Sequence, residues 1–543
     1  MRFRIKASST YLPLIFALIL IIGMLIGVKL VERTGESSMF VYPRTDKLSG
    51  VLNFIEMEYV DSISKDKLVE ETIPAILKNL DPHSVYIPAK DMQRVTEPLE
   101  GNFDGIGIQF NMLNDTVVVI QTISGGPSER IGIMPGDRIV TIDDTIVAGV
   151  ELPDSDIVTK LRGLRGTAVN VGVKRKNISG IMEFEITRDR IPLYSVDVSY
   201  MINDDIGYIK ISQFSRTTFR EYMEAAEKLN ARGMKKLILD LRGNGGGYMD
   251  QATNIADQFL DKGNLIVYTE GRASPRVDVH ATAKGINLDT ELLVLIDEWS
   301  ASASEIIAGA IQDNDRGLVV GRRSFGKGLV QNQTPFSDGS ALRLTVARYY
   351  TPTGRSIQKP YDAGTDDYFN DIDERFQHGE FHTEDSIRFD DSLKFTTPGG
   401  NVVYGGGGIM PNVFIPRDTV GLTDYYSQIA RQGLVYRFAF DYSDKNRSSL
   451  ARFDSAEEIN RYLDRQDLMN SFVSFAESQG VRRNDRQIDI SREILNTQIK
   501  AYIARNVLDN EGYYPIIEKI DQALKKSISL LEEGAVKDMI TRN

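Results

Sequence analysis

Lys236-Leu237-Ile238-Leu239-Asp240-Leu241-Arg242-Gly243-Asn244-Gly245-Gly246-Gly247 is the stretch on which the fold class turns. A short apolar run closed by a glycine-rich turn reads as a buried strand ending in a loop. Upstream, Ile206–Phe214 reads as a strand and Thr217–Leu229 as a helix. Downstream, Leu265–Thr269 and Leu292–Ile296 are apolar runs, Ser302–Gln312 is a helix, and Leu318–Val320 and Leu342–Tyr350 are strands. Alternating strands and helices imply an α/β layer with partly parallel strands. In such sheets, sites lie beyond the strand C-termini. The loop 243–247, Ser300–Ser304 and Gly321–Gly328 all follow such ends.

Further outward the pattern changes. Residues 45–98 read as helices, with Leu48, Val51, Leu52 and Ile55 at helical spacing and a break at Leu80-Asp81-Pro82-His83-Ser84. Residues 99–190 are β-rich and punctuated by glycine. They run through Gly105-Ile106-Gly107-Ile108-Gln109-Phe110, the strand Thr116–Thr122, the short helix Ser128–Ile133, Met134-Pro135-Gly136-Asp137 and the strand Arg138–Ile142. Helix Pro153–Leu161 and strands Ala168–Lys174 and Met182–Thr187 follow. This order resembles a PDZ domain of the circularly arranged bacterial type. Gly105 and Gly107 let successive N–H groups face one concavity that captures a carboxylate, and the edge Ile106–Phe110, Ile108 included, can pair with an extended peptide. Residues 361–400, rich in Asp, Phe and Gly and without a period, read as a loop insertion or flap. Residues 421–543 read as helices, chiefly Asp454–Phe475 and Ser491–Leu531.

Composition narrows the classes. The 543 residues are 41% hydrophobic and 26% charged, as in folded domains, and the net charge of −12 argues against nucleic acid. The chain has no cysteine, which removes disulfides, thiolate metal sites and a thiol nucleophile. It has four histidines, His83, His280, His378 and His382, and no H-E-x-x-H, so neither a metal site nor a Ser-His-Asp triad is favoured, and no cofactor is expected. Arg2, Arg4 and Lys6 precede an apolar run from residue 11 to 28. At about 1.5 Å per residue it spans roughly 27 Å, close to the ~30 Å of a hydrocarbon core. It ends in Gly27-Val28-Lys29-Leu30 without an A-x-A pattern, so an uncleaved anchor is expected before a removed signal. The expectation is a single-pass protein of the inner (cytoplasmic) membrane, with everything after about residue 30 in the periplasm or outside.

Two segments carry the chemistry: Trp299-Ser300-Ala301-Ser302-Ala303-Ser304-Glu305 and Gly321-Arg322-Arg323-Ser324-Phe325-Gly326-Lys327-Gly328-Leu329-Val330-Gln331. With the glycine loop, Thr351-Pro352-Thr353-Gly354-Arg355 and Gly407-Gly408-Ile409-Met410-Pro411, they closely resemble the carboxy-terminal processing peptidases, or tail-specific proteases. The resemblance covers about residues 45–420. With the anchor or signal 1–30, the helical region 31–98 and the helical extension 421–543 read from the residues above, it makes the chain multidomain α+β, with a PDZ domain at 99–190 and an α/β (crotonase-like) serine peptidase core at 191–420 carrying the insertion 361–400. It places the nucleophile at Ser302, the general base at Lys327 and its orienting partner at Gln331. Asp313 and Glu305 match supporting positions, and Arg162 a position where the PDZ domain can touch the catalytic region.

The residue types suit that chemistry. A serine hydroxyl needs a base within reach, and a lysine serves only if burial lowers its pKa from about 10.4. A neutral glutamine can orient the amine without stabilising the ammonium. The amide of Ala303, at a helix N-terminus, is the first oxyanion donor, and Gly246 or Gly247 the second. Gly321-x-x-x-x-Gly326-Lys327 approaches a nucleotide-binding loop but lacks the following Ser or Thr. The competing reading is a catalytically silent PDZ scaffold for C-terminal tails of exported proteins; retention of both Ser302 and Lys327 argues against it. Expected partners are proteins or peptides with free C-termini. A homo-oligomer and an adaptor protein stay open.

Overall fold

The computed structural model describes residues 11–33 and 47–540, except 124, 177 and 389; the side chains of 12, 27, 28 and 30–33 are also outside the description. The chain divides into two units, Met1–Ile76 and Leu77–Asn543. The first contains helices Leu12–Arg33, Lys47–Glu58 and most of Lys65–Leu77, and the Lys65 ammonium donates to Asn53. Among the described residues no helix is long and apolar enough to cross a membrane, which corrects the expected N-terminal transmembrane helix. The expectation rested on an apolar run of marginal length, roughly 27 Å at about 1.5 Å per residue against a ~30 Å hydrocarbon core. Arg2, Arg4 and Lys6 lie outside the described residues.

In the second unit, the stretch at 236–240 forms a central strand. The sheet order is Val196–Met201, Ile206–Ile211, Lys236–Asp240, Glu291–Ile296, Leu318–Gly321, Val413–Phe414, parallel except for the first pair. Its strands are apolar throughout because both faces are covered. Leu237, Leu239, Leu292 and Val294 face helices Thr218–Ala231, Met249–Ala256 and Ala303–Asp313. Ile238, Leu293, Leu295 and Val320 alternate with them and face helices Gln522–Glu532 and Ala535–Ile540.

Leu265–Glu270 and Ala341–Tyr350 do not join this layer. They belong to a second, antiparallel sheet with Val85–Ile87, Val277–His280 and Leu329–Pro335. The helical expectation for 45–98 is thus interrupted by a strand, which begins just past Pro82. The expected loop at 361–400 folds into helix Thr365–Gln377 and a hairpin of Lys394–Thr396 with Val402–Tyr404. Tyr368 and Ile372 at i and i+4 are buried and anchor the helix.

Residues 102–192 form the β module. Ile108–Met112, Val117–Thr122, Arg138–Ile142, Ala168–Lys174 and Met182–Thr187 make an antiparallel sheet, with helix Asp154–Leu161 packed over Val117, Ile139 and Val171. The C-terminal helices close their own core around Phe472, Leu495 and Ile503.

Candidate active site

Three loops leave the C-terminal ends of neighbouring parallel strands and meet in one cleft of about 680 Å³. Its lining includes Gly245–Gly247, Ser302, Ala303, Lys327, Gln331 and Tyr349.

Ser302 caps helix Ala303–Asp313 with φ 56° and ψ −111°. A non-glycine residue in such a conformation costs about 1–3 kcal/mol and persists only where its surroundings impose it. The constraints are visible on both sides. Ala301 N–H donates to the Asn244 carbonyl at 3.0 Å, and Ser302 N–H to Glu305 Oε2 at 2.7 Å. The neighbouring serines are excluded from the cleft. Ser300 Oγ donates to the Leu241 carbonyl and Ser304 Oγ to the Asn244 carbonyl, both at 2.9 Å, and both residues are fully buried.

Glu305 joins the two motif segments. Its Oε2 accepts from Ser302 N–H and, at 2.9 Å, from Lys327 N–H. Its Oε1 accepts from Ser324 Oγ at 2.5 Å and Gly326 N–H at 2.7 Å. Burial pushes its carboxyl up to about 7, against the opposing pull of those hydrogen bonds. Tyr349 adds a second link. Its buried hydroxyl donates to the Lys327 carbonyl at 2.6 Å and the Ser302 carbonyl at 3.1 Å.

Lys327 Nζ donates to Gln331 Oε1 at 3.3 Å, and Gln331 Nε2 donates to the His83 carbonyl at 2.5 Å. Burial lowers the Lys327 pKa, and the Arg343 guanidinium lowers it further, while Glu305 and Asp81 act the other way. His83 is itself driven down to about 4, by burial and then by Lys327, so its ring is neutral at pH 7. The ring nitrogen lies 2.9 Å from Tyr368 Oη, on the insertion helix.

Gly246 approaches Ser302 closely: a Cβ there would fall 2.7 Å from Ser302 Cβ and 3.2 Å from the Ala303 nitrogen. Its φ of 103° also favours glycine. Its N–H donates to Asn244 Oδ1 at 2.9 Å. Gly247 packs backbone to backbone against Phe214. Asp313 lies away from the cleft lining. It pairs with Arg355 at 2.6 Å, both side chains fully buried, and accepts from Thr353 Oγ1 at 2.7 Å.

In the β module, Gly105 ends a ribbon of Asn102–Gly105 with Asp189–Pro192. Ile106 is buried, and its carbonyl accepts from both the N–H and the hydroxyl of Ser128. Gly107 has φ 73°, and a Cβ there would meet Ile191 at 2.9 Å. Ile108 opens the outermost strand of its sheet. Arg162 pairs with Glu97 and lies 4.4 Å over the Phe103 ring. Glu97 sits on helix Ala89–Glu100, whose Thr96 and Leu99 line the cleft. Sequence reasoning missed Tyr349, His83 and Asn244. Period-2 counting along Ala341–Tyr350 fails to relate Tyr349 to Arg343, because a bulge between Thr345 and Ala347 shifts the alternation and nothing local signals it.

These observations define a peptidase-like cleft joined to a peptide-binding β module, and the family models agree. Residues 205–366 match peptidase family S41, residues 105–181 match a PDZ domain, and residues 425–509 match a family of unknown function, DUF8443. The carboxy-terminal-processing protease of Bartonella bacilliformis is 36% identical over 331 residues, which cover 60% of this chain and 75% of the relative. The carboxy-terminal processing protease CtpA of Bacillus subtilis is 34% identical over 327 residues, 60% of this chain and 68% of the relative. Among solved structures, a photosystem II D1 C-terminal processing protease is 30% identical, with a TM-score of 0.33 over 57% of this chain and 88% of that one. The chain belongs to the carboxy-terminal processing proteases, PDZ-containing serine peptidases of family S41.

Proposed function

We propose that this peptidase cuts its protein or peptide substrates with a Ser302–Lys327 dyad, and selects them in part by C-terminal tails held on the PDZ domain. The observation that carries the dyad is the shared clamp: Glu305 and Tyr349 bind the backbones of both residues at the wall of one cleft. Neutral Lys327 takes the Ser302 proton as Oγ attacks the scissile carbonyl. Ala303 N–H, at the helix N-terminus, receives the developing oxyanion. Gly246 N–H is engaged by Asn244, which leaves Gly247 as the glycine-loop donor. The tetrahedral intermediate collapses to an acyl ester on Ser302. The departing amine takes the proton from Lys327, and water then hydrolyses the ester with Lys327 again as base.

The tail would add as a strand along Ile108–Met112, with its carboxylate at the amides around Gly105–Gly107. Arg162 and Glu97 would relay its presence to helix Ala89–Glu100 and so to the cleft. We also propose action outside the cytoplasm. That reading rests on Arg2, Arg4 and Lys6 before the apolar stretch and on the absence of cysteine, and cell fractionation of the expressed chain tests it. For the dyad, the chain is compared with Ser302→Ala and Lys327→Ala on an unstructured protein substrate. Both variants are expected to lose cleavage, and retained cleavage in both rejects the assignment. Equal cleavage of substrates with apolar and with blocked C-termini rejects tail selection.

A further inference from the structure

Strand Ala341–Tyr350 presents Arg343 and Thr345 on one face, and a bulge between Thr345 and Ala347 shifts the alternation before Tyr349. Arg343 and Tyr349 both line the catalytic cleft. Across the hairpin Arg343 is registered with Gln333, and Thr345 with Gln331, the residue that holds Lys327. Arg343 is half-buried and donates to a neutral group, Gln333 Oε1, at 2.9 Å. Among the described residues it forms no ion pair. The nearby carboxylates are occupied: Asp81 accepts from the N–H groups of His83 and Ser84 and from the hydroxyls of Ser84 and Thr345, and Asp250 accepts from Gln251. A cation held over a catalytic cleft without an anion, in a chain of net charge −12, is a site for an anion brought by the substrate.

We propose that Arg343 is a specificity-determining residue that takes an Asp or Glu side chain of the substrate near the scissile bond. The inference rests on the cleft being the place of cleavage. Arg343 lies one strand pair beyond Gln331, which at about 3.3 Å per residue is roughly 7 Å along the cleft. An extended peptide covers that in two to three residues, so the acidic side chain falls two or three positions from the cut.

The test uses the full chain and quenched fluorescent peptides that differ only in one residue, Asp or Glu against Asn or Gln, placed two and three positions to either side of the cut. Hydrogen bonds to charged groups exceed neutral ones by enough to favour the acidic peptide about tenfold in kcat/KM at one of these positions. Arg343→Met should bring that ratio to about one, Arg343→Lys should keep most of it, and Arg343→Glu should favour a Lys-containing peptide. Each ratio is taken within one variant, so a general loss of activity cancels. A ratio near one in the parent, or a ratio unchanged in Arg343→Met, overturns the inference. Ser302→Ala is assayed alongside: if it still cleaves, the reading of the cleft fails, whereas an inactive Ser302→Ala with a flat parent ratio removes only the role of Arg343.

Discussion

Replacing Glu305 by glutamine changes one carboxylate at constant volume. The two oxygens accept four hydrogen bonds, from Ser302, Lys327, Ser324 and Gly326. A glutamine keeping its oxygen toward Ser302 and Lys327 turns its NH₂ toward Ser324 and Gly326. Ser324 Oγ already accepts from Ile409 N–H at 2.6 Å and can turn its own proton away to accept the amide as well. That leaves one orphaned donor, Gly326 N–H, at a cost of about 1–3 kcal/mol. Ionisation works in the other direction. The folded pKa of Glu305, about 7, lies above its ordinary 4.5, because burial outweighs its hydrogen bonds. Its contribution to stability is therefore complete below about 4.5 and is lost as the pH rises through about 7, a change of roughly 3 kcal/mol. Glutamine does not titrate. Near pH 5 the carboxyl is protonated and, like the glutamine, turns a donor toward the same groups, so the Glu305→Gln penalty there should not exceed ~1–3 kcal/mol and should shift by about 2–3 kcal/mol in favour of the variant at pH 8. Urea unfolding followed through Trp299, the single tryptophan and close to the cleft loops, reads the difference at the two pH values. A penalty independent of pH would refute the reasoning, because the carboxyl would then not titrate differently in the folded chain.

Other outcomes follow from the same geometry. Tyr349→Phe keeps the buried ring and loses both carbonyl contacts, so kcat should fall about five- to tenfold with KM unchanged, as one buried hydrogen bond of ~1–1.5 kcal/mol implies; a change confined to KM would contradict it. Asp313→Ala leaves the fully buried Arg355 guanidinium without its carboxylate and should cost about 3–5 kcal/mol in chemical denaturation. A loss below ~1 kcal/mol would mean the pair is dispensable. Because burial and Arg343 both lower the Lys327 pKa, kcat/KM should rise with pH and level off below the ordinary lysine value of 10.5, a plateau that a pH-rate profile locates. Arg162→Ala removes the Glu97 and Phe103 contacts and should narrow the difference between apolar-tailed and blocked-tail substrates in paired kinetics.

Much of the peptidase layer is legible in the chain. Strands such as Lys236–Asp240 and Glu291–Ile296 are covered on both faces, so they appear as unbroken apolar runs, and glycine-rich loops mark their ends. The PDZ strands are legible for a related reason: turns at Pro135-Gly136 and Gly105–Gly107 need conformations that few residues adopt. The second sheet was less legible. Val85–Ile87 has three residues, too few to show a period, and it exists because Ala341–Tyr350 offers it an edge. The insertion helix Thr365–Gln377 is hidden in the same way, its apolar positions being few and set by what they pack upon. The N-terminal segment shows the converse error, since hydropathy over 11–28 suggested a membrane span and no described helix meets that requirement.

The sequence by itself determined the residue types of the cleft and their order along the chain. Ser302, Glu305, Lys327 and Gln331 are recognisable from short motifs, because local spacing on a helix cap and a glycine-flanked loop is enough to present them. Only the tertiary structure decided what those residues meet. Which of three serines reaches the cleft depends on Leu241 and Asn244, some 60 residues upstream. The lowered pKa of Lys327 owes part to the Arg343 charge, and its surroundings are fixed by His83, which holds Gln331, and by Tyr349, all carried by elements distant in sequence. Burial and hydrogen bonding are properties of a neighbourhood, and a neighbourhood exists only once the chain has closed on itself.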